Sequence, residues 1–504
     1  MSLRYFARLL AIILVALLCI SPEAFAKQTR NPNIIFILTD DLGYGDVGAF
    51  GQTKIKTPNI DRMAREGMKF TQHYSGSPVC APARCVLMTG KHPGHATSRD
   101  NREIKPEGQF PIPDEEITLA ELMKQSGYVT GAFGKWGLGS PESSGSPLKQ
   151  GFDRFYGYNC QRVAHNLYPT YLYDNDRRVS LNNHEFSAHQ KLPENADPND
   201  PASYKQFIGK EFAPDLYAEQ ALRFIREHKD RPFFLYFPTI IPHLALQVPE
   251  DSLQEYAGMF AETPYPGGKS YLPHYTPRAA YAALITRMDR EVGRMMELIN
   301  ELGLDEETIF VFTSDNGPAV DGSGGVDSGF FNSNAGMRGY KGSVYEGGIR
   351  VPTIVRWKGR IKAGTESDRV TGFEDWMPTL LNLSGAKSKA PREIDGISFA
   401  PVLLGKKQSE RPFLYREFPA PNYGGQQSVR VGDWKAVRQN LNRRDKAAPN
   451  LHIELYNLKN DPAETTDVSA KNQKIVARMD KLMREQHTPS EDFRFPALDA
   501  LSRN

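Results

Sequence analysis

The chain has no large excess of charge of either sign, and this absence excludes one class of partner. Its 62 lysine and arginine residues face 60 aspartate and glutamate residues, which leaves a formal net charge of +2 over 504 residues. A nucleic-acid-binding protein needs concentrated positive charge to hold the phosphate backbone. The composition therefore predicts an ordinary globular protein with no nucleic-acid partner.

Cysteine is also scarce, with four residues in the whole chain. An exported protein of this size with so few cysteines is held together by its hydrophobic core rather than by a disulfide framework. Cys85 and Cys160 are expected to be buried apolar residues, and a single disulfide between them is the alternative that the sequence leaves open. Cys80 belongs to a motif that is described below.

Apolar runs long enough to cross a membrane are missing as well. The run from Leu9 to Ile20 is shorter than the roughly 20 residues that a spanning helix needs. Arg4 and Arg8 precede this run and small residues end at Ala26, which is the pattern of a secretory signal. We therefore expect residues 1–26 to be a cleaved signal peptide, with a periplasmic or secreted mature chain that has no membrane anchor.

The chain is rich in helices that alternate with fully apolar strands. The run from Asn33 to Leu38 predicts a buried strand, and Thr57-Pro58 opens a helix that Gly67 ends. The alternation continues with strands predicted over 129–133, 233–237 and 308–312 and with helices over 117–125, 216–228 and 281–302. This pattern indicates an α/β domain with a mostly parallel sheet covered by helices on both faces.

After about Gly405 the segments become shorter. Alternating stretches over 428–437 and 453–458 precede an amphipathic helix over 474–486, which predicts a small α+β domain. The predicted organisation is therefore a catalytic α/β domain over 27–405 and a C-terminal domain over 406–504.

Polar side chains follow the ends of two predicted strands. Asp40 and Asp41 come after the first strand, and Asp315 and Asn316 come after the strand over 308–312. Ligands of parallel sheets bind beyond the carboxyl ends of the strands, and oxygen ligands favour Ca²⁺ or Mg²⁺ over zinc. The alternative is that each pair caps the turn or helix that follows its strand.

A motif between Cys80 and Pro93 reduces the weight of that alternative. Cys80, Pro82 and Arg84 are spaced as cysteine, any residue, proline, any residue, arginine, ahead of a helix predicted to begin at Cys85 and to end at Thr89-Gly90. With this motif the chain resembles the formylglycine-dependent (type I) sulfatases of the alkaline phosphatase superfamily. The resemblance continues at Gly134-Lys135-Trp136, Pro242-His243, Ser314 to Gly317, Lys341, Glu346 to Pro352, Glu454 to Leu458 and Asp461-Pro462.

The resemblance implies an alkaline-phosphatase-like fold and a specific chemistry. Cys80 would be oxidised after translation to formylglycine, whose hydrated aldehyde attacks the sulfur of a sulfate ester. Arg84 would steady the hydroxyl groups of that residue, and His243 would contact the sulfate or protonate the leaving oxygen. Lys135 and Lys341 would neutralise sulfate oxygens. The metal, for which the family suggests Ca²⁺ with Mg²⁺ as the less favoured ion, would be held by Asp40, Asp41, Cys80 in its modified form, Asp315 and Asn316.

The chain departs from the family pattern at Gly137, where many relatives have a histidine after Gly-Lys-Trp. That histidine is credited with proton removal during sulfate release, so the base for this step is open. His165 has three roles compatible with the sequence: it replaces the missing histidine, it binds substrate, or it is a loop residue without a catalytic role. Ala83 replaces a serine that is common in the signature, and this removes no catalytic group.

The predicted function is hydrolysis of the sulfate ester of a sulfated carbohydrate. Export and the polar, aromatic loop predicted over 158–173 both suit a sugar, which proteins bind by hydrogen bonds and ring stacking. A formylglycine-generating maturation enzyme is the second expected partner. The alternatives are a phosphonate or phosphate ester hydrolase on the same fold and a non-catalytic binder of sulfated glycans.

Overall fold

The computed structural model describes residues 30–268, 270–386 and 388–501. The predicted signal peptide over 1–26 lies outside the described residues. From Pro32 onward the chain forms a single contact unit. Among the described residues, every helix is too short or too polar to span a bilayer.

The strands and helices of the described residues are numbered in chain order. The strands are β1 (Asn33–Asp40), β2 (Met68–Phe70), β3 (His73–Tyr74), β4 (Val129–Lys135), β5 (Arg154–Tyr158), β6 (Tyr171–Asp174), β7 (Arg177–Ser180), β8 (Phe233–Pro242), β9 (Thr308–Ser314), β10 (Thr353–Arg356), β11 (Thr365–Ser367), β12 (Thr371–Gly372), β13 (Leu414–Phe418), β14 (Gln426–Val431), β15 (Trp434–Arg438) and β16 (Glu454–Asn457). The α-helices are α1 (Pro58–Glu66), α2 (Cys80–Thr89), α3 (Leu119–Gln125), α4 (Ala213–Glu227), α5 (Glu250–Leu253), α6 (Pro277–Glu301), α7 (Ser328–Phe331), α8 (Glu346–Ile349), α9 (Trp376–Ser384), α10 (Ala400–Leu403), α11 (Gln473–Glu485) and α12 (Pro496–Leu501).

A ten-stranded mixed sheet lies at the centre, in the order β11-β2-β10-β9-β1-β8-β4-β5-β6-β7. Its middle is parallel, because β1 pairs in parallel with both β8 and β9, and β4 does so with β5 and β8. Antiparallel pairs occur toward the edges, between β10 and β9 and from β5 to β7. The predicted fold class, a mostly parallel mixed sheet, is confirmed.

Strand β1 shows why the sheet has a core on each face. Its side chains alternate between two hydrophobic clusters, with Ile35 and Ile37 in one and Ile34, Phe36 and Leu38 in the other, and all five are buried. Helices α4 and α6 contribute to the first cluster, and α2, α3 and α9 contribute to the second. Each fully buried aliphatic side chain stabilises the fold by about 1.5–3 kcal/mol relative to exposure.

The C-terminal part contains a four-stranded antiparallel sheet in the order β13-β14-β15-β16. Helix α11 packs on this sheet through Met479 and Met483. The stretch predicted as one segment over 428–437 is a hairpin of β14 and β15, which turns at Gly432 with a φ of 58°. The predicted α+β character of this part is confirmed, and its boundary near Gly405 stays a prediction.

Other predicted segments differ from the structure at their ends. Strand β8 continues to Pro242, five residues beyond the predicted end, because β1 remains paired with it as far as Asp40. The segment 158–173, predicted as a loop, includes the last residue of β5 and the first residues of β6. Its alternation of tyrosines with other residues is a strand pattern that was overlooked.

Candidate active site

The carboxyl ends of four neighbouring strands bring the predicted polar residues to one edge of the sheet. β1 ends at Asp40, β4 at Lys135, β8 at Pro242 just before His243, and β9 at Ser314 just before Asp315. Asp41 has a φ of 62°, in the left-handed region that costs a non-glycine residue about 1–3 kcal/mol. Its backbone N–H donates to Oδ1 of Asp315 at 3.3 Å, which links the ends of β1 and β9.

Cys80 is the first residue of helix α2, so the prediction that the helix begins at Cys85 is wrong. Val79 is extended, with a φ of −142°, and the helix starts directly after it. Pro82 does not prevent this, because the first N–H groups of a helix have no partner inside the helix. The helix ends at Thr89 as predicted, with Gly90 in the left-handed conformation.

The Sγ atom of Cys80 contacts one carboxylate and one ammonium group. It is 3.4 Å from Oδ1 of Asp40 and 3.5 Å from Nζ of Lys341. The residue is 1% exposed. Burial, followed by the charge of Asp40, raises the pKa of the Cys80 thiol to about 12, so an unmodified thiol is protonated at neutral pH.

Arg84 lies one helical turn after Cys80 and joins two of the strand ends. Its Nη2 donates to Oδ2 of Asp315 at 2.8 Å and to Oδ2 of Asp40 at 3.2 Å. Its Nη1 also donates to the backbone oxygen of Lys135. Because Arg84 is completely buried, these bonds hold the guanidinium group in one orientation.

The two predicted lysines each pair with a carboxylate. Nζ of Lys135 is 2.5 Å from Oδ2 of Asp40, and Nζ of Lys341 is 2.7 Å from Oδ1 of Asp41. Burial alone would raise the pKa of Asp40, but Lys135, His243 and Arg84 together hold it well below its usual range. The site thus balances three acids against three bases, namely Asp40, Asp41 and Asp315 against Arg84, Lys135 and Lys341.

The donor set fits a hard divalent cation. The carboxylates of Asp40 and Asp41 lie with Cys80 and His243 in a group whose ligand atoms are within 4.8 Å of one another. Asn316 donates from Nδ2 to Asp41 at 2.7 Å, and its buried Oδ1 has no hydrogen-bond partner. A buried carbonyl oxygen without a donor is costly unless a cation is its partner.

The electrostatics of Asp315 support the same fit. Burial, followed by the charge of Asp40, raises the pKa of Asp315 to about 6, although Arg84 opposes this shift. A further positive charge would keep all three carboxylates ionised. Because the protein charges already balance, a divalent cation would also give the site the net positive charge that a sulfate group needs.

His243 has one ring nitrogen fixed by the backbone. Its Nδ1 donates to the oxygen of Leu244 at 2.5 Å, so its Nε2 is the nitrogen that gains and loses a proton. Nε2 lies 3.7 Å from Oδ2 of Asp41. Burial and the charge of Lys341 lower the pKa of His243 to about 4.

His165 lies against His243 in a cluster of aromatic rings that the sequence did not predict. The His165 and His243 rings are stacked, with centroids 4.9 Å apart and an interplanar angle of 14°. His189 Nε2 is 2.9 Å from His165 Nδ1, and the Tyr271 ring contacts both His165 and His243 by its edge. Burial, followed by the charges of His243 and Lys135, lowers the pKa of His165 well below its usual value. The sequence offered one signal for His189, namely that histidines occur in the long segment over 181–203, which reads as a surface loop.

Gly137 leaves space for the side chain of Gln161, a second residue of the site that the sequence did not predict. A Cβ atom at position 137 would lie 2.8 Å from Nε2 of Gln161, and the φ of Gly137 is 82°. Nε2 of Gln161 is buried without a partner, and its backbone N–H donates to Gln109 at 2.7 Å. The space of a side chain at position 137 is therefore filled by an amide group. Cys160 next to it and Cys85 in α2 are both buried and free, as expected for apolar residues without a disulfide.

The C-terminal part contacts the site or the segments next to it in three places. Tyr423 packs on Gly342, beside Lys341, and is 42% exposed. Arg416 of β13 pairs with Glu374 at 2.9 Å and donates to the oxygen of Ser75, in the loop before α2. The third place is Lys435 of β15, which pairs at 2.9 Å with both Glu346 of α8 and Glu464.

Comparisons with known proteins agree with this geometry. The Sulfatase family model matches residues 32–386, and a model described as N-sulphoglucosamine sulphohydrolase, C-terminal, matches residues 339–489. N-acetylgalactosamine-6-sulfatase of Canis lupus familiaris is 33% identical over 425 residues, which cover 82% of this chain and 72% of that protein. Arylsulfatase A of Homo sapiens is 33% identical over 458 residues, which cover 86% of this chain and 83% of that protein.

A solved structure is similar over nearly the whole chain. It is Ps i-CgsB in complex with k-i-k-neocarrahexaose, with a TM-score of 0.72 and 26% identity, and the match covers 94% of this chain and 97% of that one. Because the family model spans most of the chain and two curated sulfatases match it at one-third identity, this chain belongs to the sulfatase family and is a sulfuric ester hydrolase of the type I group in the alkaline phosphatase superfamily.

Proposed function

We propose that this sulfatase removes sulfate from a sulfated carbohydrate, with a formylglycine made from Cys80 and a bound Ca²⁺. The observation that carries the proposal is the position of Cys80, buried at the start of α2 between Asp40 and Lys341. The sugar substrate is supported by a relative named for N-acetylgalactosamine 6-sulfate hydrolysis and by a similar structure in complex with a neocarrahexaose.

The roles of the residues follow from their contacts. Arg84 holds Asp40 and Asp315 in place, and from its position one helical turn after residue 80 it would steady the hydroxyl groups of the formylglycine. Lys135 and Lys341 supply the positive charge that a sulfate group needs around its oxygens. Because its Nδ1 donates to the backbone, Nε2 of His243 is the nitrogen available to the substrate. It is unprotonated in the free protein, where the pKa of His243 is about 4, and the negative charge of a bound sulfate would raise this pKa so that Nε2 can protonate the oxygen of the departing alcohol.

Two groups complete this chemistry. The hydrated aldehyde of formylglycine supplies a hydroxyl nucleophile where the thiol of Cys80 would be protonated. Ca²⁺ would be held by Asp40, Asp41, Asp315, the Oδ1 atom of Asn316 and residue 80, and it supplies charge that polarises a sulfate oxygen. Mg²⁺ is the less favoured ion.

The remaining expectations also belong to this proposal. Signal cleavage after Ala26 would deliver the chain to the periplasm or the extracellular space, and a formylglycine-generating enzyme would act on Cys80. Residues from about 406 onward would form the C-terminal domain and complete the pocket, which the contact of Tyr423 with Gly342 supports.

The decisive experiment combines mass spectrometry with two cysteine variants. The peptide that contains Cys80 is expected to carry an aldehyde in place of the thiol. Cys80→Ala is expected to abolish sulfate ester hydrolysis without unfolding the protein, whereas Cys85→Ala, which changes a buried free cysteine of the same helix, is expected to retain it. Activity of Cys80→Ala, or a free thiol in fully active protein, would contradict the mechanism.

A second experiment tests the metal and the reaction class. Chelation is expected to remove activity, and Ca²⁺ is expected to restore it better than Mg²⁺ or Zn²⁺. Asn316→Ala is expected to weaken Ca²⁺ binding, measured by calorimetry, because it removes the oxygen that has no protein partner. Faster turnover of aryl phosphate than of aryl sulfate esters would contradict the substrate assignment.

A further inference from the structure

We propose that His165 donates a hydrogen bond from Nε2 to an oxygen of the substrate's sugar, and that His189 is the positioning residue that fixes His165 in this role. The inference rests on the proposed function of the same site. It assigns a role to a residue pair that lies beside the catalytic groups and does not bind the reacting sulfate.

A chain of hydrogen bonds determines which ring nitrogen of each histidine carries the hydrogen. The backbone N–H of Tyr271 lies 3.4 Å from Nδ1 of His189, and a backbone amide can only donate. Nδ1 of His189 therefore accepts, and the ring carries its hydrogen on Nε2. This Nε2 lies 2.9 Å from Nδ1 of His165. His165 accepts there in turn, so its own hydrogen is on Nε2.

Nε2 of His165 is left as a donor without a protein acceptor among the described residues. The residue is partly exposed, and its ring packs against the rings of both His243 and Tyr271. It is close enough to Lys135 and Lys341 for both charges to act on it. The sugar next to the sulfate would lie against this donor.

The neighbouring rings therefore offer opposite hydrogen-bonding groups. His243 keeps its hydrogen on Nδ1 through Leu244, so its Nε2 is the nitrogen that can take up and release a proton. His165 presents a fixed N–H and has no free lone pair with which to remove a proton. Its tautomer excludes the role of a base in place of the histidine absent at Gly137. The Nε2–H group of His165 can instead donate a hydrogen bond to a hydroxyl or ionised oxygen on the sugar next to the sulfate ester.

Position 189 is held firmly enough to act in this way. The loop over 181–203 is anchored on both sides of His189, because Asn183 donates to Pro169 at 2.8 Å and Leu192 donates to Pro266 at 2.9 Å. The His189 ring also contacts the Tyr271 ring, with centroids 5.1 Å apart. An orienting partner of this kind fixes both the tautomer and the rotation of a histidine ring.

The first test compares two variants of similar size. His189→Gln keeps an N–H donor for His165 and an oxygen for the Tyr271 amide, whereas His189→Met fills the same space without either. His189→Met is expected to raise KM for a sulfated sugar roughly 3- to 10-fold, the effect of one hydrogen bond, with a smaller change in kcat. His189→Gln is expected to stay within about twofold of the unsubstituted enzyme. Equal KM values for the two variants would overturn the positioning role.

The second test identifies the oxygen that His165 contacts. His165→Phe retains a ring against His243 and removes the donor. Among sulfated monosaccharides that each lack one hydroxyl, one is expected to give the same kcat/KM with His165→Phe as with the unsubstituted enzyme. If His165→Phe lowers kcat/KM equally for every analogue, the inference is refuted.

The tautomer can be measured without any turnover. Long-range ¹⁵N–¹H correlation spectra of histidine-labelled protein, assigned with His165→Phe, are expected to show the hydrogen on Nε2. A hydrogen on Nδ1 would overturn this inference and leave the proposed function intact. Failure to hydrolyse any sulfated sugar would instead overturn the proposed function, so the two failures are distinguishable.

Discussion

Replacing Lys435 with methionine is expected to destabilise the protein by about 3–5 kcal/mol, the usual cost of removing one partner from a buried ion pair. Nζ of Lys435 lies 2.9 Å from Glu346 and 2.9 Å from Glu464, and all three side chains are at most 2% exposed. Methionine matches the length of the lysine chain, so the variant removes charge and leaves the packing nearly unchanged.

The expected shift in melting temperature follows from the size of the chain. Unfolding entropy is about 2.1 cal/mol/K per residue, which for 504 residues is about 1 kcal/mol/K. The loss of about 3–5 kcal/mol therefore lowers the melting temperature by roughly 3–5 °C. Lys481→Met is the matched control, because Lys481 is 76% exposed and lies 3.7 Å from its partner Glu485. It is expected to change stability by less than about 0.5 kcal/mol.

The pH dependence gives the sharper test. Burial raises the pKa of Glu346, but Lys435 reverses this and holds the pKa below its usual value. Glu464 differs, because burial keeps its pKa at about 7 even beside Lys435. Without Lys435, the folded-state pKa of both carboxyl groups rises. The destabilisation is then present at high pH and fades as the pH falls through the raised pKa. Lys435→Met is expected to melt closer to the unsubstituted protein at pH 5 than at pH 8. If Lys435→Met lowers the melting temperature equally at both pH values, the role of the two carboxylates is refuted.

Three further predictions concern single positions. Gly137→Ala is expected to cost about 1–2 kcal/mol, because its φ of 82° is unfavourable for other residues and its Cβ would meet Gln161; an unchanged melting temperature would contradict this. Tyr423→Ala, on the site wall, is expected to raise KM for a sulfated sugar about 2- to 10-fold and to leave the melting temperature within about 1 °C. Burial lowers the pKa of His487, but Glu417 raises it above 6.5 overall, so the pair stabilises the fold below pH 6.5 and loses this effect as the pH rises. His487→Gln should therefore lower the melting temperature more at pH 5.5 than at pH 8.5, and the opposite order would refute the pairing.

The sequence predicts the four middle strands of the central sheet and the polar residues that gather at their ends, because both depend on local signals. The run Asn33–Leu38 is rich in β-branched residues and stops at polar residues, as a buried strand does, and the polar residues meet those of the next strands because parallel strands end at the same edge. The motif that begins at Cys80 adds the residue that we propose as precursor of the nucleophile, and it predicts the end of the helix at Thr89.

The residues that the sequence did not reveal come from contacts between distant segments. His189 lies in a loop without regular structure, and only the fold brings it to His165. Gln161 fills the space beside Gly137 because β5 runs parallel to β4, a pairing that no local pattern encodes. The start of α2 was misplaced because Pro82 is a helix breaker in most positions but not in a first turn.

The burial of Cys80 also determines when its proposed oxidation can occur relative to folding. With 1% of its surface exposed, Cys80 is out of reach of another protein once the fold is complete. Arg416 and Arg430, which are synthesised long after Cys80, donate hydrogen bonds to Ser75 and Tyr74 in the segment just before it. The oxidation that we propose must therefore occur while the C-terminal strands are still absent or undocked. A chain that folds too early would be well formed, stable and permanently without its nucleophile.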